Sequence, residues 1–242
     1  MSSKQNRRPA APVRNPSRRA ASTTRWWVIG GLVVVLVVAV VVALAASGGG
    51  DDDDSSSTAK QEVGAVTVDG TSLPAYDADA RTDAAVGDTA PTLEGSGFDE
   101  QPVTIGPTGN PQVVMFLAHW CPHCQAEVPR IVTLADQGAF EGIDVASVAT
   151  GTSADAPNYP PSAWLTREDW PFEVLVDDRQ GTAAAAYGLS AYPFFVFLDG
   201  DGKVLGRTTG EIEPDHLEAI LDALRDGTEL PLSVSGSSSG AG

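Results

Sequence analysis

Hydrophobic positions fall into three regimes along this chain of 242 residues. From Trp26 to Ala46 they are unbroken, 21 residues without a charge and dominated by Val, Leu and Ala. A run of that length crosses the apolar core of a bilayer as one helix. After Ser47 the pattern dissolves into Gly, Ser and Asp, and Glu62–Val68 alternates only weakly like a strand. From about residue 85, short apolar runs and helical stripes take turns. Pro111–Ala118 has the length and β-branching of a buried strand. Gln125–Asp136 then reads as a helix with Val128, Ile131, Val132 and Ala135 on one face. The spacing next predicts a strand at Ile143–Ala149, a helix at Ser162–Asp169, a strand at Phe172–Val176 and a helix at Gln180–Tyr187. Pro193–Leu198 is a further apolar strand, turned by Asp199-Gly-Asp-Gly202 into Lys203–Thr208. Pro214 opens a last helix, striped by Leu217, Ile220, Leu221 and Leu224. This alternation implies an α/β fold, a central mixed sheet flanked by helices and finished by an antiparallel hairpin.

Charge follows the same divisions. The first 25 residues carry seven basic side chains and no acidic one. All 32 acidic residues lie from Asp51 onward against eight basic ones, a formal charge of −24 for that part. The positive-inside rule then puts the N-terminus in the cytoplasm and everything after Ser47 outside it, with Trp26 and Trp27 at the cytoplasmic interface. Cleavage of a signal peptide at Ala43-Leu-Ala45 is the alternative, but the apolar run is longer than a usual signal core. The expected organisation is a basic cytoplasmic N-terminus (1–25), a transmembrane signal-anchor helix (26–46), a largely flexible linker (47–84), one domain (85–230) and a disordered tail (231–242). The acidity argues against nucleic acid or anionic lipid as a partner of the exported part.

The chain has two cysteines, and both fall in Cys121-Pro122-His123-Cys124. Bridging them closes so short a loop that little entropy is removed from the unfolded chain, which makes the pair a poor staple and points to chemistry. They follow the strand Pro111–Ala118 directly, so Cys121 sits at a helix N-terminus. Unpaired N–H groups and the helix dipole favour a thiolate there, and a protonated His123 acts in the same direction. Cys121 is therefore the expected nucleophile and Cys124, one turn further in, the resolving thiol. Half a zinc site is the competing reading. With only His119, His123 and His216 in the chain, its ligands would have to come from His119-Trp-Cys-Pro-His-Cys124, too compact to wrap a tetrahedron. A copper relay through both thiols and His216 is disfavoured for want of other ligands. His119 either adds to the thiolate fraction or covers the strand end, Trp120 packs beside the dithiol, and His216 lies off the last helix's apolar stripe. Trp164 and Trp170 read as core.

With Trp120-Cys-Pro-His-Cys124 after a buried strand, and Tyr192-Pro193 opening the next apolar strand before a hairpin, the chain resembles the thioredoxin superfamily. The resemblance implies that Pro193 is cis and faces the dithiol, with Trp120, Tyr192 and Pro193 contacting substrate. A proline without an N–H leaves the flanking backbone free to bind a client segment in β fashion. Gly87-Asp-Thr-Ala-Pro91, and Cys124 followed by Gln-Ala-Glu127-Val-Pro129, are similar to the membrane-anchored TlpA/ResA-like branch. So is the extra helix–strand unit in the 69 positions between Cys124 and Pro193. Peroxiredoxins share the opening motif but require a threonine where Ala118 stands. Thioredoxin's buried acid would fall at Met115, and Glu127, three residues after Cys124, is the substitute that the resemblance suggests; a solvent-exposed helix glutamate is the alternative. Pro122-His123 departs from the branch and is typical of DsbA-type oxidases.

The function expected is a membrane-anchored, extracytoplasmic thiol–disulfide oxidoreductase that reduces client disulfides, using no cofactor beyond the Cys121/Cys124 pair. Its partners would be client proteins with disulfides or thiols, and a membrane dithiol donor or acceptor. An oxidase that introduces disulfides is one alternative, and a non-catalytic metal- or peptide-binding module is another.

Overall fold

The computed structural model describes residues 62–232. The basic N-terminus, the apolar run 26–46 and the tail beyond Leu232 lie outside the described residues. No helix among those described is long and apolar enough to cross a membrane.

The strand before the cysteines organises the fold. It is the fourth in chain order, β4 (Gln112–Leu117), and all six of its residues are buried. Successive side chains on a strand point to opposite faces, so Val114 and Phe116 enter one core while Val113 and Met115 enter the other. Two strands, β5 (Asp144–Ala149) and β6 (Glu173–Val176), extend the sheet in parallel on one side. On the other side β7 (Phe194–Leu198) and β8 (Val204–Thr209) run antiparallel, giving the order β6-β5-β4-β7-β8. Phe116 pairs with Phe194, so the exit of β4 lies beside the start of β7. This register brings Cys121 and Pro193, far apart in sequence, to one end of the sheet.

Each face is covered differently. Against Val113, Met115, Phe195 and Phe197 pack α1 (Pro122–Asp136), through Ile131 and Leu134, and α4 (Pro214–Asp226), through Leu217, Ile220, Leu221 and Leu224. The opposite face is covered by a second, three-stranded antiparallel sheet of β1 (Thr67–Asp69), β2 (Thr92–Ser96) and β3 (Pro102–Ile105). The short α3 (Thr182–Ala186) packs there too, through Ala183, Ala184 and Ala186. Between β5 and β6 runs α2 (Pro161–Arg167), so α2–β6 is the additional helix–strand unit, with β6 at the sheet edge. Trp164 is buried there, and Trp170 is half-buried with its indole N–H donating to Ser147 Oγ at 3.0 Å.

Four expectations need correction. The stretch 47–84 is not a flexible linker from Glu62 on. The Gly64 N–H donates to Asp177 O, Leu73 N–H to Ala186 O and Tyr76 N–H to Gly188 O, and Leu73 is buried. Within it the strand occupies Thr67–Asp69, not Glu62–Val68, because only there does the backbone meet β2. The domain also runs past residue 230, since Leu230 and Leu232 pack on the α1/α4 core and Leu232 lies over Gly206. Finally, the buried stripe of α1 is Cys124, Glu127, Val128, Ile131 and Leu134. Val132 and Ala135 are only half-buried. The stripe is rotated because the helix begins at Pro122 and turns its first buried position, Cys124, under the end of β4.

Candidate active site

Cys121 occupies the N-cap of α1, with extended backbone (φ −74°, ψ 122°) and Pro122 at the first helical position. Proline suits that position because its missing N–H would have had no partner in the helix. The next first-turn N–H groups are oriented toward the helix N-terminus, where Cys121 stands. Cys121 is 6% exposed, and its Sγ lies 3.8 Å from the carbonyl oxygen of Tyr192. Tyr192–Pro193 is a cis peptide bond, and Pro193 is buried. The resemblance-based expectation of a cis proline facing the dithiol therefore agrees with the geometry.

Cys124 has no exposed surface. The Ala118 N–H points at its Sγ at 3.5 Å. Burial nonetheless pushes this thiol well above the ordinary cysteine range, and the charges of Cys121 and Glu127 add to that effect. Neither cysteine is in a disulfide.

Glu127 is fully buried on the same face as Cys124, which removes the reading of it as an exposed helix glutamate. Desolvation raises its carboxyl to about 7, against the Ile212 N–H at 3.2 Å and the Arg130 guanidinium, which favour the charged form; Glu211 acts with burial. Arg130 Nη1 lies 3.4 Å from Glu127 Oε2 and 2.9 Å from Glu211 Oε2. The other oxygen of Glu211 meets His123 Nδ1 at 2.8 Å. His123 itself is largely exposed, at 65%. Its imidazole is held by a carboxylate, and that bond with His123 is the main cause that lowers the Glu211 carboxyl below its ordinary value.

Trp120 and Tyr192 form the rim. Their rings meet edge to face at 5.7 Å, and the Trp120 indole N–H donates to Gly151 O at 2.8 Å. Beside Tyr192, the Thr150 hydroxyl donates to the buried Asp177 carboxylate at 2.7 Å. Asp177 also accepts the N–H groups of Ala183 and Ala184, anchoring the rim to α3. Gly151 has φ +63°, and a Cβ there would stand 2.9 Å from the Tyr192 hydroxyl. Only glycine fits this close approach.

The two open roles of His119 resolve geometrically. It is buried, its Nδ1 lies 2.7 Å from Pro157 O, and the Ser153 N–H donates to Nε2 at 3.2 Å. An acceptor at Nε2 and a donor at Nδ1 fit the neutral Nδ1–H tautomer. His119 therefore pins the loop after β5 over the strand end. His216 is half-buried in the first turns of α4. Among the described residues no group of three or more His, Cys, Asp or Glu is arranged to hold a metal.

The structure thus gathers all eight residues singled out from the sequence (Trp120, Cys121, Pro122, His123, Cys124, Glu127, Tyr192 and Pro193) around the exit of β4. Sequence reasoning missed Arg130, Glu211, Thr150, Gly151 and Asp177. Arg130 carried a signal, being three residues after Glu127 on one helix face. Glu211 lies 88 positions from His123 and carried none.

Comparison with known proteins bears on the family and the fold. Residues 85–224 match the Redoxin family. The chain is 29% identical over 145 residues to the methylamine utilization protein MauD of Methylophilus methylotrophus, covering 59% of this chain and 64% of the relative. It is 29% identical over 165 residues to a thiol:disulfide interchange protein DsbE homolog of Paracoccus denitrificans, covering 66% of this chain and 87% of that one. Among solved structures, the hypothetical protein SMc02350 of Sinorhizobium meliloti superposes with a TM-score of 0.54 at 17% identity, over 63% of this chain and 90% of that one. At that identity the likeness speaks for the fold alone, an α/β thioredoxin-like sheet flanked by helices. The chain belongs to the Redoxin family, and the relatives it is similar to include proteins named as thiol–disulfide oxidoreductases.

Proposed function

We propose that this chain is a membrane-anchored, extracytoplasmic thiol–disulfide oxidoreductase that reduces disulfides in client proteins through Cys121 and Cys124. The observation that carries the reading is the placement of Cys121 Sγ against the Tyr192 carbonyl, with Cys124 and Glu127 buried behind it on one helix face. A client segment lying in extended form along Tyr192-Pro193 would present its disulfide to Cys121. Cys121 attacks one client sulfur, the client S–S bond breaks, and the other client sulfur leaves as a thiol. Cys124 then gives its proton to Glu127 and attacks Cys121 Sγ. The Cys121–client bond breaks, the client departs fully reduced, and the two electrons it has gained leave a Cys121–Cys124 disulfide behind. A thiol raised by burial needs a nearby acceptor, and a carboxyl raised to about 7 is matched to that task at neutral pH.

The branch supports electron supply from a membrane dithiol donor, and no cofactor beyond the cysteine pair enters this chemistry. The basic N-terminus and the uncharged run 26–46 support anchoring with the domain outside the cytoplasm. A reporter fused after Gly242 is expected to be active only on the outer side; activity in the cytoplasm would overturn that orientation.

Pro122-His123 favours a second reading, an oxidase that donates its disulfide to exported proteins, because a cation at His123 stabilises the reduced form of the pair. Both readings require the same division of labour, and trapping tests it. Cys124→Ser is expected to accumulate client mixed disulfides and Cys121→Ser to trap almost none. Equal trapping by the two variants would remove the nucleophile assignment.

A further inference from the structure

Residues Glu211 and Ile212, in the connection between β8 and α4, make two contacts with α1 that converge on one carboxyl group. The Ile212 N–H donates to Glu127 Oε1 at 3.2 Å. One residue earlier, the Glu211 carboxylate takes Arg130 Nη1 at 2.9 Å, and the same nitrogen reaches Glu127 Oε2 only at 3.4 Å. The contact with Glu211 is an ion pair, whose attraction grows as the charges approach, and the contact with Glu127 is a long hydrogen bond. One guanidinium nitrogen is therefore divided between two carboxylates, and the outer one holds it more closely. Glu211 is fixed in turn by His123, at 2.8 Å. A chain of polar contacts runs from the dipeptide between the cysteines, through Glu211 and Arg130, to the buried Glu127 on the same helix face as Cys124.

We propose that Glu211 is a positioning residue for the resolving step: by keeping the Arg130 guanidinium on its own carboxylate, it preserves Glu127 as an acceptor for the Cys124 proton. The inference rests on the proposed role of Glu127. The charged groups acting on Glu127 are Arg130 on its own helix and Glu211 across from it, with the Cys124 thiol on the same helix face. His123 acts through Glu211. If Glu211 lost its charge, two effects would add. The negative charge facing Glu127 would vanish, and Arg130 would be free to close on Glu127 as a direct ion pair. Both favour the ionised carboxylate and weaken it as a base. Glu211 touches neither sulfur in this arrangement; it acts on the reaction through Arg130 and Glu127.

The test uses the reduced full-length chain and an aromatic disulfide, 5,5′-dithiobis(2-nitrobenzoate). Attack by Cys121 releases one nitrothiobenzoate and leaves the other bound; resolution by Cys124 releases the second. The rate of that second phase, followed against pH, reports proton transfer out of Cys124. For the wild type it is expected to rise along a limb through neutral pH that belongs to the coupled Cys124/Glu127 pair. Glu211→Gln keeps the length and hydrogen-bonding reach of the side chain and removes its charge, at a position that is 31% exposed and unlike a core site. It is expected to move the limb to lower pH by about one unit and to slow the plateau, while the first phase persists. A merely structural role would leave the position of the limb unmoved. A limb that stays in place or moves to higher pH, while Glu127→Gln abolishes it, overturns the assignment of Glu211 alone. A limb that survives Glu127→Gln overturns the role of Glu127, and this inference with it.

Discussion

A fully buried carboxyl group with a proton affinity near neutrality lowers stability in the same pH range in which it accepts protons. For Glu127 the sign follows from its raised value. The folded carboxyl, at about 7, stays protonated at pH values where the unfolded one, near the ordinary 4.5, has already ionised. Between those values the folded chain binds more protons than the unfolded chain, so this group's contribution to stability falls as pH rises from about 4.5 to about 7. The full loss is on the order of 3 kcal/mol. Glu127→Gln removes the titration. Its stability relative to the wild type is therefore expected to improve progressively from pH 4 to pH 8, measured by urea unfolding at each pH. A difference that stays flat across that range would show that the carboxyl has no raised affinity. Glu127 was legible as a candidate because it falls three residues after Cys124, but its burial was not. The helical stripe was read from Val and Ala positions, and a glutamate counts as polar in any such pattern. Glu211 and Thr150 stayed invisible for a different reason, since their partners are brought near by sheet register and not by sequence spacing.

The strands and helices from Pro111 onward were recovered in type and order, whereas β2 and β3 were not predicted and residues 62–84 were misread as a linker. Residues 62–84 contribute Leu73, Tyr76 and the partly buried Val66 and Val68, too scattered to show a period. They are attached instead by backbone hydrogen bonds and by one ion pair, neither of which leaves a hydrophobic trace. That ion pair ties the C-terminal part of the segment to β8. Arg207 on β8 has a fully buried side chain, with Nε donating to Asp83 Oδ2 at 2.8 Å and Nη2 bonding the other oxygen of the same carboxylate. Its Nη1 donates to the carbonyls of Pro74 and Tyr187 at 2.8 and 2.9 Å, and the guanidinium lies over Tyr76 at 5.5 Å. Removing one partner of a buried pair leaves the other charge uncompensated, at about 3–5 kcal/mol. Asp83→Asn is expected to lower the unfolding free energy by about that amount, read from the urea midpoint at constant slope. A flexible linker would predict a change of no more than about 0.5 kcal/mol, and such a result would detach residues 62–84 from the domain.

At the scale of the whole molecule the open quantity is the direction of electron flow, and two parts of the chain pull it apart. The α2–β6 unit and the Glu127 position accord with the proposed reductase, while Pro122-His123 pulls toward an oxidising couple. The structure tempers the second pull. The His123 imidazole is largely solvent-exposed and already bonded to the Glu211 carboxylate, so any positive charge on it reaches the dithiol partly neutralised. A free cation beside the thiols would raise the potential more than this paired one does. For a two-electron couple about 30 mV corresponds to a tenfold change in equilibrium constant. The potential of the pair is therefore expected to lie above that of thioredoxin, about −270 mV, and well below that of the strong oxidant DsbA, about −120 mV. His123→Ala is expected to lower it by roughly 30 mV, in redox equilibration against a glutathione buffer with the two cysteines trapped by alkylation. A wild-type value near −120 mV would make the oxidase the correct reading. A value at or below that of thioredoxin, unmoved by His123→Ala, would show that the dipeptide does not tune the couple and that the buried side of the site, Cys124 with Glu127, sets it alone.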